Sequence, residues 1–471
     1  MRFDYDLLVV GAGSGGLSVA SGAAQMGARV ALAERGEMGG DCLNYGCVPS
    51  KALIAAGARA QAMRDCADFG ITPVVPEVDY AAVMDHVAAT IAKIAPHDSQ
   101  ERFEGFGIEV IRDHARFTGP QQVQVGDRVI RARRVVIATG ASPLVPPIDG
   151  LDGVPYLTNE TLFDLRERPD HLLVLGGGPI GMEMAQAHVR LGCKVTVIEA
   201  DRALNRDDPE MAAVVLARLH AEGIEIAEGA RAAQISGKAG AIRVLAEDGR
   251  VFEGSHLLVA LGRRPNIADL GLEAAGIATE RGAITVDARL RTSNKKVFAI
   301  GDVTGGLQFT HLAGYEAGVV IRAALFGLPA KARHDHIPRA TYTEPELAQV
   351  GLTEAEARGK HGDALQVVAA DYSGNDRALA SLRSEGGVKV MVVKGRPVGA
   401  TIVGAEAGEL ISLWALALSK GLKLSDIAGM VAPYPTLSEL AKRAAGAYFS
   451  PKLFENPWVK RAVAAVQRVL P

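Results

Sequence analysis

The chain has 471 residues, 51 of them basic and 54 acidic for a net charge of −3, and only four cysteines. That length exceeds what one core supports and divides into about three domains. The near balance of charge excludes the electrostatic footprint of a nucleic-acid or anionic-membrane binder, and the few cysteines exclude a secreted disulfide scaffold.

The N-terminus, MRFDYDLLVVGAGSGG, lacks the basic head, long apolar centre and small-residue cleavage site of a signal peptide. No apolar run reaches about 18 residues, so no membrane span is expected. The expected location is the cytoplasm, where a disulfide needs a functional reason because the compartment is reducing.

In chain order, the apolar run Leu7 to Val10 reads as a buried parallel strand. Gly11, Gly13 and Gly16 then complete G-x-G-x-x-G, followed by a helix-like stretch of small residues, a strand over 28–33 and the acid Glu34. This is the pattern of a β-α-β unit that seats a dinucleotide pyrophosphate on its helix N-terminus. The glycines permit the tight turn and close backbone approach, and the acid accepts from a ribose hydroxyl.

Next comes GGDCLNYGCVPSK, residues 39–51, with Cys42 and Cys47 five positions apart. Zinc requires about four ligands, and no second Cys/His cluster is visible. A static staple over so short a step adds little stability and is out of place in a reducing compartment. A redox pair sets a geometric condition. Across a regular helix, positions i and i+5 lie roughly 8.7 Å apart at Cα, whereas a disulfide tolerates at most about 6.8 Å. The loop must therefore kink, and Gly46 is the residue best able to kink it. Pro49-Ser50 starts a helix, which places Cys47 near an N-terminal end that favours a thiolate. Lys51 lies one turn further and can share its face. Cys66, in a helix, and Cys193, in a strand-like segment, are expected in the core.

The strand Val135 to Ala138 leads through Thr139-Gly140 into a proline-rich crossing, the first domain boundary. The dinucleotide pattern then repeats with Gly176, Gly178 and Gly181, and Glu199 ends the second strand. The 23-residue spacing from first glycine to acid is the same in both copies. Two dinucleotides in two doubly wound domains are expected. A carboxylate at Glu199 bonds a free 2′-hydroxyl and repels a 2′-phosphate, which favours NADH over NADPH, although Arg202 and Arg206 follow closely. The strand HLLVALGRRPN closes the second copy at Gly262, where a side chain would crowd the cofactor. KVFAIGDVTGG supplies another buried strand and sets Asp302 at its C-terminal end, where open α/β sheets place ligands. The last third alternates apolar and polar residues in a hairpin turning at Gly395-Arg396-Pro397. Helices over 407–420 and 436–448 follow, an α+β domain without a phosphate fingerprint.

Taken in order, these two glycine turns with GGDCLNYGCVPSK, VVIATG, VFAIGD and YPTLSE resemble the class I pyridine nucleotide–disulfide oxidoreductases, the family of dihydrolipoamide dehydrogenase, glutathione reductase and mercuric reductase. The resemblance implies an α/β protein with two Rossmann-like domains and a C-terminal α+β dimerisation domain. It places FAD on residues 1–149 and 271–336, NAD(P)H on 150–270, and the interface on 337–471 of a homodimer with shared active sites. It further implies that Glu34 takes the adenosine ribose, Asp302 the ribityl chain and Ala115 a backbone contact to FAD. Lys51 and Glu183 would stand beside the reactive flavin nitrogen. Cys42 and Cys47 become a redox-active disulfide, with Cys47 on the flavin side and Cys42 toward the acceptor; a resident metal is not expected.

The pattern departs at VAPYPTLSE. Ala432 and Tyr434 stand where disulfide-reducing relatives carry two histidines, while Glu439 remains. An imidazole titrates near 6.5 and a phenol near 10, so Tyr434 is a poor base at neutral pH. Mercuric reductases resemble the chain in having Tyr there, and FTHLAG also leans to their side, yet they carry a C-terminal cysteine pair and this chain has no cysteine after Cys193. The expected function is transfer of electrons from NADH through FAD and Cys42–Cys47 to a small disulfide or thiol-reactive acceptor. The alternatives are a soft metal-ion reductase and, outside catalysis, a redox-sensing flavoprotein.

Overall fold

The first apolar run forms β1 (Tyr5–Val10) at the centre of a parallel array in the computed structural model, which describes residues 3–470. After the glycine turn, α1 (Ser14–Gln25) returns the chain to β2 (Val30–Ala33), paired with β1. Beyond β2 lies β3 (Glu109–Ile111); on the other side of β1 come the C-terminal half of Arg128–Ile137 and then Val297–Ala299. Leu7 and Val9 pack on one face with Leu17, Val319 and Val320. Leu8 and Val10 pack on the other with Phe117, Val123 and Ile130, from an antiparallel meander of Ala115–Gly119, Gln122–Val125 and the start of Arg128–Ile137. Burial on both faces is why β1 is apolar at four consecutive positions, Leu7 to Val10, rather than at alternate ones. Each of these side chains contributes roughly 1.5–3 kcal/mol by leaving water.

The same plan recurs with strands Glu225–Ala227, Lys194–Ile198, His171–Leu175 and His256–Val259, parallel in that order, and the helix Pro179–Arg190 after the first of them in sequence. An antiparallel sheet of Ala232–Lys238, Ala241–Ala246 and Val251–Gly254 accompanies it. The two glycine turns are one device built twice. Gly11 and Gly176 have φ of +105° and +108°, and a Cβ on either would lie 2.4 or 2.5 Å from the carbonyl oxygen of Ala138 or Ala260. A Cβ on Gly16 or Gly181 would lie 1.8 or 2.0 Å from the carbonyl oxygen of Gly11 or Gly176. Strand, turn and helix can close up only because these four positions lack side chains.

These elements belong to the first of two compact units, residues 3–200 and 225–333; the second holds 201–224 and 334–470. In the second, five antiparallel strands run in the order Arg339–Thr341, Glu346–Gly351, Arg396–Gly404, Gly387–Val393 and Leu365–Asp371. The helices Ala407–Lys420 and Glu439–Ala447 cover this sheet around the buried Trp414 and Tyr372. The helix Pro209–Ala221 is tied to it by the buried Lys389, whose Nζ lies 3.2 Å from Asp208, 2.6 Å from Glu210 and 3.0 Å from Glu354. One detail differs from expectation. The hairpin turns at Lys394-Gly395, with φ of +51° and +74°, so Arg396 and Pro397 belong to the strand. A two-residue turn with both φ positive matches the twist of the flanking strands, and Pro397 is tolerated beside a register shift in the ladder. No helix among the described residues is long and apolar enough to cross a membrane.

Gly16→Ala and Gly181→Ala are each expected to lower the unfolding free energy by about 1–3 kcal/mol, because the added carbon overpacks a backbone oxygen. Gly13→Ala, whose Cβ meets nothing within 4 Å, is expected to stay within about 0.5 kcal/mol of the parent. Denaturant melts of the three variants without cofactor check both; an unshifted Gly16→Ala would contradict the packing described.

Candidate active site

The stretch between the two cysteines is two helices rather than one. α2 (Gly40–Asn44) carries Cys42, and α3 (Cys47–Arg64) begins at Cys47 itself, two residues before the expected start at Pro49-Ser50. Pro49 still lies in the first turn, where its missing N–H costs nothing. Tyr45 and Gly46 make the break. A Cβ on Gly46 would sit 2.8 Å from Asp41 Oδ2 and 3.0 Å from the Asp41 carbonyl oxygen, so only glycine lets the loop fold back this tightly. Asp41 is itself clamped. Its Oδ1 accepts from Asn159 Nδ2 at 3.0 Å and pairs with the Arg263 guanidinium at 3.1 Å, while Asn159 also donates to the Tyr45 carbonyl at 3.1 Å. The result holds Cys42 and Cys47 as free thiols in mutual hydrogen-bonding contact.

The pair is electrostatically unequal. The hydrogen bond from Cys42 brings Cys47 down to about 6, helped by a hydrogen bond from Thr310 and the charge of Lys51 against the opposing effect of burial. That same contact, with burial, pushes Cys42 well up. Cys47 is the first residue of α3, where the helix dipole also favours an anion. Thr310, with Oγ1 3.4 Å from Cys47 Sγ, opens a second helix, Thr310–Ala324. Its neighbour His311 stacks on Phe309 at 5.2 Å; for Thr310 the signal in the sequence is a hydroxyl opening a helix just after the Gly301-Asp302 strand end. One turn beyond Cys47, Lys51 Nζ meets the buried Glu183 at 2.7 Å, joining α3 to the helix Pro179–Arg190.

Both glycine turns fit a dinucleotide pyrophosphate. Gly13 and Gly178 are the N-caps of their helices in ordinary extended conformation, with no side-chain cap and open space where a Cβ would be. Neither backbone strain nor a protein neighbour explains glycine there. Uncapped N–H groups facing open space suit a phosphate that a side chain would displace. Glu34 Oε2 accepts from Ala12 N–H and Glu199 Oε2 from Gly177 N–H, each at 2.6 Å, so both acids sit against their own turn. A carboxylate has about four lone-pair sites, so Glu34, which also accepts from the Gly36 N–H at 2.7 Å, keeps capacity for a ribose hydroxyl. Gly262, at φ +113°, follows the strand His256–Val259 with nothing within 4 Å of a Cβ. Ala115 is buried at the start of the meander. Asp302 follows Val297–Ala299, and burial pushes it up to about 6 against the pull of Arg263, 3.7 Å away. Arg263 thus bridges Asp302 and Asp41, a link between the strand end and the cysteine loop that its sequence context did not announce.

In the second unit, Tyr434 is exposed and its hydroxyl donates to Asp376 Oδ2 at 2.8 Å. Glu439 opens the helix Glu439–Ala447 and accepts from the Thr436 N–H at 3.4 Å. Of the remaining cysteines, Cys193 is buried as expected, but Cys66 is not a core residue. It lies past the end of α3, half-buried, its thiol donating to the Met63 carbonyl at 3.4 Å, because the helix ends at Arg64 and leaves it in the following turn.

Residues 5–317 match the family described as pyridine nucleotide-disulphide oxidoreductase, and residues 337–445 match its dimerisation domain, which supports a homodimer. The chain is 35% identical over 450 residues to a mercuric reductase of Bacillus cereus, covering 94% of this chain and 71% of that one. It is 36% identical over 455 residues to a dihydrolipoyl dehydrogenase of Geobacillus stearothermophilus, covering 94% and 96%. Among solved structures it is similar to the Cu(II) complex of the HOCl-induced flavoprotein disulfide reductase RclA from Escherichia coli, with a TM-score of 0.83 and 31% identity over 93% of this chain and 98% of that one. With the doubled dinucleotide fold and the clamped cysteine pair, these matches establish that the chain belongs to the class I pyridine nucleotide–disulfide oxidoreductases, FAD-dependent flavoproteins with a redox-active disulfide.

Proposed function

We propose that the chain oxidises NADH and passes the electrons through Cys42 and Cys47 to a small disulfide or other thiol-reactive acceptor. The observation that carries this reading is the unequal thiol pair, one member held as an anion at a helix N-terminus and the other protonated against it. In this reading residues 1–149 and 271–336 hold FAD, residues 150–270 hold the nicotinamide cofactor and residues 337–471 form the interface. FAD, when bound, supplies a two-electron relay between nicotinamide and thiols.

The chain's own residues do the rest. Gly11, Gly13 and Gly16 seat one pyrophosphate and Gly176, Gly178 and Gly181 the other, with Glu34 and Glu199 on the riboses and Gly262 leaving room for the second cofactor. Asp302 holds the flavin's ribityl chain, the Ala115 backbone contacts FAD, and the Lys51–Glu183 pair keeps a cation beside Cys47. Toward a disulfide acceptor, Cys42 yields its proton to the hydrogen-bonded Cys47 thiolate as it attacks, forms a mixed disulfide and expels one thiolate. Cys47 then attacks the Cys42 sulfur, expels the second thiolate and leaves the Cys42–Cys47 disulfide. The Cys42 proton and one from solvent end on the two product thiols. A second reading, reduction of a soft metal ion, is favoured by Tyr434 in place of the relatives' histidine and by the likeness to a mercuric reductase and to the Cu(II)-complexed RclA.

Anaerobic titration of the FAD-loaded protein with NADH is expected to bring up a long-wavelength thiolate-to-flavin band that Cys47→Ser abolishes; an unchanged spectrum in that variant would refute the role of Cys47. In the reduced protein, alkylation of Cys47 by iodoacetamide should rise as pH climbs through about 6, because the thiolate is the nucleophile and is lost below that pH. Cys42→Ala removes the main cause of the lowering, so the midpoint should move up toward the ordinary thiol value of about 8.5. Finally, kcat/KM for NADH should exceed that for NADPH by about tenfold or more, equivalent to about 1.4 kcal/mol, and Glu199→Ala should narrow the gap. Steady-state kinetics with both cofactors decides it, and equal use of NADPH by the parent protein would count against Glu199.

A further inference from the structure

The phenol of Tyr434 has one hydrogen, and the structure commits it to Asp376 at 2.8 Å. Among the described residues, Glu439, the acid of the YPTLSE motif, is not the partner; it accepts from the Thr436 N–H on its own helix start. The Tyr–Asp pair rests on a built support. Asn375 is fully buried, caps the Asp376–Ala380 turn through the Ala378 N–H at 3.0 Å, and donates to the Thr436 carbonyl at 3.0 Å. Thr436 in turn donates to the Pro433 carbonyl at 2.7 Å. Asp376 and the Tyr434 loop are therefore held in one frame, 58 residues apart in sequence.

The charged groups facing the phenol are Asp376, Glu439 and Arg443; the two carboxylates hold it protonated beyond its ordinary range and Arg443 opposes them. A phenol in this state is a poor proton donor to anything else. What it presents outward is oxygen lone pairs with carboxylates behind them. The two acceptor classes differ in what they need at that point. A disulfide attacked by a thiolate expels a thiolate, which must take a proton. A divalent soft cation bound by two thiolates expels none, takes two electrons from NADH to become neutral metal with release of NAD⁺ and a proton, and is attracted by an oxygen lone pair and nearby negative charge.

We propose that Asp376 is a positioning residue that sets acceptor choice: by taking the Tyr434 hydrogen it turns a phenol lone pair toward the acceptor and favours a soft metal cation over a disulfide. The inference rests on the second reading above, reduction of a soft metal ion, and on Tyr434 acting at the acceptor in place of the relatives' histidine.

The test uses the FAD-loaded, full-length protein with NADH and two probes, lipoamide and mercuric ion supplied with excess cysteine. The ratio of kcat/KM values for the two is measured for Asp376→Ala and Asp376→Asn, each with Tyr434 intact and with Tyr434→Phe. Both side chains are exposed, and melting temperature and FAD content establish that every variant folds. With Tyr434 intact, Asp376→Ala should move the ratio toward lipoamide by about tenfold, and with Tyr434→Phe by less than about twofold, since a residue acting only through the phenol has no effect once its hydroxyl is gone. Asp376→Asn keeps an acceptor oxygen and should stay within about threefold of the parent. An equal shift in both backgrounds, or no shift in either, would overturn the role of Asp376 while leaving Tyr434 in the site. A Tyr434→Phe variant unchanged toward both probes would instead remove Tyr434 from the acceptor site, and both readings would fail together.

Discussion

Between Cys42 and Cys47 the backbone stops being one helix and becomes two, and the chemistry of the site depends on that break. A continuous helix would carry the two sulfurs apart and place Cys47 in a helix interior, its N–H in an ordinary hydrogen bond rather than at an N-terminus. Breaking it at Tyr45-Gly46 returns the chain on itself, makes Cys47 the first residue of a new helix and lets the thiols touch. The break is costly unless the loop is held. Asp41 is the point of attachment, gripped by Asn159 and Arg263 while Gly46 leaves room for its carboxylate. A side chain at Gly46 would therefore do more than perturb a turn, since it would displace the anchor that keeps the cysteines in register.

From that anchor the network extends to the rest of the first unit. Arg263 comes directly after the Gly262 turn and also faces Asp302, so one guanidinium connects the end of the second dinucleotide fold to the strand end of the first and to the cysteine loop. Lys51 and Glu183 make a second bridge, from the redox helix to the helix of the second dinucleotide turn. The cysteine loop, the Asp302 carboxyl and the helix of the second glycine turn are thus tied through buried or half-buried charge pairs. Such pairs are worth little as stability on a surface. Where partly buried they fix geometry, because breaking one leaves a charge without its partner.

In the proposed reading, the acceptor side follows a different logic. The family's acid–base histidine is replaced by a phenol, and the phenol's partner is an aspartate outside the YPTLSE motif. The electron-delivering half and the electron-spending half of such an enzyme face different demands. The first must match fixed cofactors and shared chemistry, so its glycines and cysteines are held to narrow geometry. The second must match only its acceptor, and a change of one hydrogen-bond donor there can redirect the chemistry without disturbing the fold.

Much of this protein was legible from local pattern. The apolar runs, the two G-x-G-x-x-G turns at equal spacing to an acid, the need for a kink at Gly46 and the α+β character of the last third are properties of neighbours in sequence. At Gly16 and Gly181 a side chain is excluded by the carbonyl of the glycine that opens the same motif. The helix start at Cys47 was misplaced by two residues, and Cys66 was assigned to a helix that ends before it, because helix ends are decided by capping contacts rather than by periodicity. The resemblance paired Lys51 with Glu183, but the partners that hold Cys47, Asp41 and Tyr434 were not legible. Thr310 lies 263 residues from Cys47, Asn159 lies 118 from Asp41 and Asp376 lies 58 from Tyr434. Sequence by itself determined that the chain would carry two dinucleotide turns and a paired thiol. Only the tertiary structure decided which groups surround the Cys47 anion and which acid holds the phenol, since hydrogen bonds act over about 3 Å of space whatever the distance along the chain.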